Sequence, residues 1–322
     1  MALKLILMGT GPFAAPTFEW ILRKSPHQVL SVVTRPVPPP VGRVKAPVNP
    51  IRDLAEKHGI PIFAPESINA PVAVEFLKTQ AADLYVVCDY GQILSREVLS
   101  IPRLGGINLH GSLLPRHRGA APIVWAILSG DIETGVTVIH MTPGLDAGPM
   151  IVKVAWPISD QVTCAELETD LAARGPAAVA SALEKLEKWD GATPIGERQD
   201  PQLATKAPRI SKAMGEVDWS KSARQLALEV RAFQPWPGSF TFLQRTDKEP
   251  IRVALLSVVV EKSTDNSSPP GSIVEVEKDS FLVATGEGGL QIHTLQPAGK
   301  KPMQAAEFLR GHALKPGMTF AR

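Results

Sequence analysis

The chain opens on an apolar stretch, Leu3–Met8, interrupted only by Lys4, which runs into Gly9-Thr10-Gly11-Pro12 and then a helical pattern from Pro16 to Leu22. Val29–Thr34 is a second apolar stretch. Near-continuous apolar strands joined through a helix predict a parallel sheet covered on both faces, because such strands have no solvent side to leave polar. Leu84–Cys88 and Gly106–Leu109 read as further strands of that sheet, and Ile51–His58 as a helix. Pro122–Leu128 opens a helix with proline in its first turn, where the missing N–H has no intrahelical partner to lose. Gly135–Met141 and Ile151–Trp156 read as two strands around a glycine-rich turn, and Thr163–Trp189 as helix interrupted near Gly175-Pro176.

Periodicity is then lost. Gly191–Pro208 gathers proline, glycine and charge and predicts a linker. Beyond it come one helix, Ser222–Ala232, and the short β-type runs Phe240–Leu243, Ile251–Val260, Gly271–Val276, Phe281–Ala284 and Leu290–Leu295. Short strands at this spacing predict a small barrel. The length of 322 residues also favours two domains over one core. The expected layout is a domain at 1–190, a linker at 191–208 and a domain at 209–322.

Composition changes this picture little. With 44% hydrophobic and 20% charged residues the chain reads as globular, and a net charge of +2 gives no global basic field. From Ala207 onward 15 Lys and Arg face 12 Asp and Glu, a mild basic surplus. Cys88 and Cys164 are too few for a disulfide framework and fit a reducing cytoplasm as ordinary packed residues. The first apolar stretch is too short to span a bilayer, so no membrane is expected. Gly9–Ala14 matches the dinucleotide fingerprint, but the end of the second strand offers Thr34-Arg35-Pro36 where an NAD site needs an acid. A tight strand-to-helix turn is the simpler reading.

The chemistry stands at Asn108 and His110. Residues two apart on a strand share a face, and this pair sits at the carboxyl end of a predicted parallel strand, where open α/β sheets bind ligands. Gly144-Leu145-Asp146-Ala147-Gly148 puts a carboxylate in a glycine-flanked turn between two strands. Asn, His and Asp together suit carbonyl transfer: an amide to donate to an oxyanion, an imidazole to polarise or move a proton, and a carboxylate to orient it. Ser112 lacks a nucleophile elbow, nothing requires Cys88 to face His110, and His110, His140 and Asp146 have no zinc-type spacing. Direct attack of one bound substrate on another, without a metal, is the expected chemistry.

NLHGSLLPRHRGAAPI (Asn108–Ile123) and GLDAGPMI (Gly144–Ile151) resemble the signatures of the 10-formyltetrahydrofolate-dependent formyltransferases. The likeness extends through GTGPFAAP, VCDYGQIL, KAPRISKAMGEVDWS, RAFQPWPGSF and LQPAGKKPM, nearly end to end. It implies a Rossmann-like parallel-sheet domain followed by an OB-like β-barrel that binds tRNA. It further implies transfer of a formyl group from 10-formyltetrahydrofolate, a cosubstrate, to the amine of methionyl initiator tRNA, by a cytoplasmic monomer. The alternative is another formyltransferase or hydrolase of this kind acting on a small amine. By this resemblance Asn108, His110 and Asp146 are the catalytic set. Ser112, Leu113, Leu114 and Pro115 form a folate-contacting turn, with Gln92 and Leu94 helping to hold the pterin. Arg43, Lys45, Lys206, Arg209, Lys212, Lys300 and Lys301 become candidate tRNA contacts. Two departures stand out: Gly11 replaces the family's usual proline, and the first-domain loop RPVPPPVGRVKAPVNP is proline-heavy.

Overall fold

The structure is a computed structural model and describes residues 2–39, 48–245, 248–261 and 268–321. Arg43 and Lys45 therefore lie outside the described residues.

The chain divides into two compact units. The first comprises residues 1–123, 133–157 and 167–208. Its sheet is built from β1 (Lys4–Met8), β2 (Gln28–Val33), β3 (Ile62–Phe63), β4 (Leu84–Val87), β5 (Gly106–His110), β7 (Glu133–His140) and β8 (Met150–Pro157); a short β6 (Arg118–Gly119) stands apart. The order is β3-β2-β1-β4-β5-β7-β8, parallel from β3 to β5 and antiparallel across β5–β7 and β7–β8. Leu5, Ile6, Leu7 and Met8 are all fully buried, as an apolar central strand requires. In β8 the burial alternates from Val152 on, the pattern of an edge strand with one solvent face. The helices before the second unit's sheet are, in chain order, α1 (Ala15–Lys24), α2 (Pro50–Lys57), α3 (Pro71–Gln80), α4 (Arg96–Leu99), α5 (Pro122–Leu128), which belongs to the second unit from residue 124 on, α6 (Cys164–Ala172), which belongs to the first unit from residue 167 on, and α7 (Gly175–Glu187). The last two divide the predicted helical stretch close to the expected interruption. Gly175 is required there for packing: a Cβ would lie 2.2 Å from Thr17 Oγ1 and 2.7 Å from Leu109 Cδ2.

Residues 191–208 fall within this unit. β9 (Lys206–Ala207) pairs in parallel with β6, and Thr205 Oγ1 accepts from the His117 N–H at 2.8 Å. This stretch is tied down by hydrogen bonds rather than by an apolar face, so hydrophobic periodicity carries no sign of it.

The second unit comprises 124–132, 158–166 and 209–322. Here α8 (Ala223–Ala232) packs on a sheet of β10 (Ser239–Arg245), β11 (Lys248–Glu261), β12 (Ile273–Val276), β13 (Phe281–Ala284), β14 (Gly289–Pro297), β15 (Met303–Gln304) and β16 (Phe320–Ala321). The order is β12-β13-β14-β11-β10-β16, with β15 beside β14. A Ser272–Thr319 bridge joins the two ends, so the antiparallel sheet curls on itself around Trp219, Val253, Phe281, Ile292 and Phe320. Arg231 on α8 ties the 158–166 stretch to this unit by donating to the Val162 and Ser159 carbonyls at 3.1 and 3.3 Å.

Candidate active site

Strand β5 delivers Asn108 and His110 to the carboxyl end of the sheet on one face. His110 is buried, and its Nε2 lies 2.9 Å from the His117 carbonyl oxygen. A carbonyl only accepts, so Nε2 carries the proton of this bond. The ring is thereby fixed with Nδ1 toward Asp146, whose Oδ2 lies 3.7 Å away. Asn108 Nδ2 donates to Asp146 Oδ1 at 3.3 Å. The three side chains named from the sequence thus converge, with the carboxylate between the amide and the imidazole.

Asp146 reaches this position through a left-handed backbone, φ 48. Few side chains adopt that region; Asp and Asn do so most readily after glycine. Three anchors hold the turn. The Gly119 N–H donates to Asp146 Oδ2 at 2.9 Å. Gln199 Nε2 donates to the carbonyls of Asp146 and Gly148 at 2.8 and 2.7 Å. Gln199 Oε1 in turn accepts from Arg118 Nε and Nη2 at 2.9 and 2.7 Å. Arg118 therefore braces the turn through Gln199. Gly119, φ 131, approaches so closely that a Cβ there would sit 2.5 Å from the Ala207 carbonyl oxygen.

The turn after His110 holds its own shape. Ser112 Oγ donates to the Arg116 carbonyl at 2.7 Å, and Thr137 Oγ1 donates to the Ser112 carbonyl at 2.7 Å while accepting from the Leu114 N–H at 3.1 Å. Ser112 and Leu114 are fully buried, whereas Leu113 and Pro115 are half-buried. In the loop after β4, Gln92 is committed to its neighbours: Oε1 accepts from the Ile68 N–H at 2.8 Å and Nε2 donates to the Pro65 carbonyl at 3.2 Å. Leu94 is buried in the core. The large apolar side chains left exposed on the loops of this unit include Ile93 and Leu145, the latter next to Asp146.

Two side chains that the pattern did not single out stand at the same end of the sheet. Gln199 lies in a stretch without periodicity and gave no signal. Asp89 did give one, being an ionisable residue at the end of the fully buried strand β4, the same sign that marked Asn108 and His110. Its side chain reaches solvent, yet the surrounding protein and the nearby Glu168 carboxylate push its carboxyl up to about 6. Burial also raises the carboxyl of Glu168. Cys88 is fully buried, and burial pushes its thiol well up, away from a nucleophilic thiolate.

Among the basic candidates, Lys206 and Arg209 are exposed near the end of the 191–208 stretch, and Lys212 is exposed after it. Lys300 and Lys301 are exposed in the second unit, following Gly299 with φ 72 in a turn closed by Lys300 N–H to the Pro297 carbonyl at 3.0 Å. Among the described residues no group of acidic, histidine and cysteine side chains could hold a metal ion, and no helix is long and apolar enough to cross a membrane.

Residues 3–183 match the family model described as formyl transferase, and residues 209–313 match its C-terminal domain. The chain is 47% identical to the methionyl-tRNA formyltransferase of Rhodopirellula baltica, over 98% of this chain and 96% of the relative. It is 44% identical to that of Magnetococcus marinus, over 98% and 97%. Among solved structures it resembles WlaRD, a sugar 3N-formyl transferase, with TM-score 0.62 and 16% identity over 94% of this chain and all of that one. It also resembles HypX from Aquifex aeolicus in complex with tetrahydrofolic acid, with TM-score 0.59 and 18% identity over 95% of this chain and 46% of that one. At such identities the structural matches speak for the fold.

Proposed function

We propose that this chain, which belongs to the formyl transferase family by its match to both domain models, transfers the formyl group of 10-formyltetrahydrofolate to the amino group of methionyl initiator tRNA. The observation that carries this reading is the near full-length identity with methionyl-tRNA formyltransferases across both units. The local chemistry supports it. Exposed Ile93 and Leu145 and half-buried Leu113 offer apolar surface to the flat rings of a folate. Gln92 and Leu94 help to hold the pterin from the loop after β4, where Gln92 is fixed by its bonds to Ile68 and Pro65 and Leu94 by its packing in the core.

The incoming amine attacks the formyl carbon, and the carbonyl oxygen takes up negative charge as the tetrahedral centre forms. Asn108 carries two N–H groups on Nδ2; one is engaged by Asp146 and the other is available to that oxygen. His110 in its imidazolium form presents Nδ1–H on the Asp146 side, its Nε2–H remaining on the His117 carbonyl. Asp146 orients both donors. With a water it carries the amine's proton to the departing folate nitrogen, so that one C–N bond forms, one breaks, and the proton follows the leaving group. Preorganised donors of this kind act without reorganising during the reaction, which is why their placement matters more than their strength.

The exposed Lys206, Arg209, Lys212, Lys300 and Lys301, with Arg43 and Lys45, serve to hold the tRNA backbone. The enzyme works as a monomer in the cytoplasm, where initiator tRNA is charged. Incubation with 10-formyltetrahydrofolate and, separately, methionyl initiator tRNA, uncharged tRNA and an amino-sugar nucleotide tests the reading. Formyl transfer to the charged tRNA alone is expected; transfer to the amino sugar with none to the tRNA would overturn it.

A further inference from the structure

We propose that Asp89 receives the acceptor amine: its carboxylate pairs with the ammonium form of the amine and takes the first proton, so that a neutral amine faces the formyl carbon. The inference deepens the formyl-transfer reading above and rests on it.

The place is the first argument. The strand order reverses between β1 and β4, and in open α/β sheets the crevice beyond such a reversal is where ligands bind. Asp89 stands two residues beyond the end of β4, at this crevice. Val87 pairs with Asn108 in the parallel ladder, so the two strands deliver Asp89 and the Asn108–His110 pair to neighbouring positions. The turn 9–14 borders both. Its Gly11 lies against the Asp89 carboxylate, and its Phe13 ring comes within 3.4 Å of where a Cβ on Gly111, next to His110, would stand.

The second argument is the room made for the carboxylate. A Cβ on residue 11 would fall 1.7 Å from Asp89 Oδ2 and 2.7 Å from its Cγ. Gly11 departs from the family's usual proline at the point where a side chain would displace this carboxylate from the position it occupies. The backbone of Asp89 is held in the left-handed region, φ 48, and its carbonyl accepts from the Thr10 N–H at 3.0 Å. Main-chain bonding therefore fixes the residue, and among the described residues its carboxylate has no hydrogen-bond or ion-pair partner.

The third argument is the charge around it. Burial and, from α6, the Glu168 carboxylate both act against charge on Asp89. The buried Cys88 thiol precedes it, and Thr10, beyond β1, donates its hydroxyl to the Tyr90 carbonyl at 3.2 Å. Arg35 lies against Gly91 and acts on Tyr90. An anion set in a crevice beside a second anion attracts a cation and repels a phosphate. The reaction's own cation is the acceptor's ammonium group.

The step balances. The ammonium gives one proton to Asp89, which becomes a neutral acid and later releases that proton to solvent. The neutral amine forms the new C–N bond, and its second proton leaves with the folate nitrogen as the old C–N bond breaks.

The test is the pH dependence of kcat/KM for methionyl initiator tRNA, in the full-length wild type and in Asp89→Asn, with 10-formyltetrahydrofolate binding followed in parallel by fluorescence. The wild type should show an acid limb with an inflection near the value set for Asp89, about 6. In Asp89→Asn that limb should vanish, and the rate should instead climb with the free α-amine, whose pKa is about 8. At pH ~6.5 the variant should lose about 10- to 100-fold, recovering to within a few-fold at pH ~9, with folate binding unchanged. A merely structural role would lower the profile at every pH without moving its inflection, and that result would overturn the proposal. So would a variant within about twofold of wild type at pH ~6.5 that keeps the acid limb. Should Asp89→Asn fail to fold, the wild-type profile still decides, since the absence of an acid limb there overturns the proposal. A wild type inactive on methionyl initiator tRNA but active on another amine would instead sink the functional reading itself.

Discussion

Replacing Gln199 with leucine removes a side chain that ties the Asp146 turn to Arg118 while keeping roughly the same bulk. Four contacts disappear: two donations to the carbonyls of Asp146 and Gly148, at 2.8 and 2.7 Å, and two acceptances from the Arg118 guanidinium, at 2.9 and 2.7 Å. A neutral hydrogen bond contributes about 0.5–1.5 kcal/mol net and one to a charged group about 1.5–3 kcal/mol. All four groups are only part-buried, so water recovers much of this, and a total loss of about 1–3 kcal/mol follows. The larger consequence falls on geometry. Asp146 sits at φ 48, a conformation that persists only while its surroundings enforce it. The Gly119 N–H would still hold one carboxylate oxygen, but the backbone of the turn would be free to relax. Misplacement of a catalytic group by about 1 Å can lower turnover by about 10²-fold, so Gln199→Leu should lose about 10- to 100-fold in single-turnover formyl transfer. Folate affinity should change far less. Quenched-flow transfer to charged initiator tRNA at saturating enzyme measures the first, and a fluorescence titration the second. A turnover within twofold of wild type, alongside a severe loss in Asp146→Asn, would refute the clamp and leave Gln199 an ordinary surface tie.

Asn108→Ala should lose about 10²–10³ in turnover by removal of one oxyanion donor, and His110→Ala at least as much. Single-turnover rates measure both, and a near wild-type rate in either removes that residue from the mechanism. Lys300→Ala combined with Lys301→Ala should weaken tRNA binding and flatten the salt dependence by about 0.7–0.9 per lost phosphate contact, leaving folate affinity unchanged, as filter binding over a salt series would report. Asp89 also makes a stability prediction. Its folded-state value, about 6, lies above the unfolded carboxylate's, so its favourable contribution is complete below about pH 4 and is lost as pH rises through about 6. Asp89→Asn should therefore raise the melting temperature at pH 8, with the gain fading toward pH 4; an equal shift at both pH values would show that the carboxylate's charge carries no such penalty.

The sequence by itself determined the parallel sheet, because a strand buried on both faces can tolerate little but apolar residues, and β1 and β4 display that directly. It determined β10 to β14 of the second unit as well, from short β-type runs between turn residues, whereas the two-residue strands β15 and β16 are too short to leave such a run. It marked Asn108 and His110, since polar side chains at the end of such a strand must find partners or act. What it left open was decided by contacts between residues far apart in the chain. The stretch 191–208 reads as a linker because nothing in it repeats, yet β9 pairs with β6 and Gln199 anchors the Asp146 turn through hydrogen bonds that leave no periodic trace. Gln92 and Leu94 sit in a motif that suggests ligand contact, and only the tertiary structure shows that Gln92 also ties its loop to Ile68 and Pro65 and that Leu94 packs in the core. Gly11 looks in isolation like part of a dinucleotide fingerprint. Its meaning depends on Asp89, 78 positions further on, whose carboxylate fills the space where a side chain would stand. Periodicity reports which face of an element is buried; it carries no information on which single atom, brought from another strand, occupies the space beside a glycine.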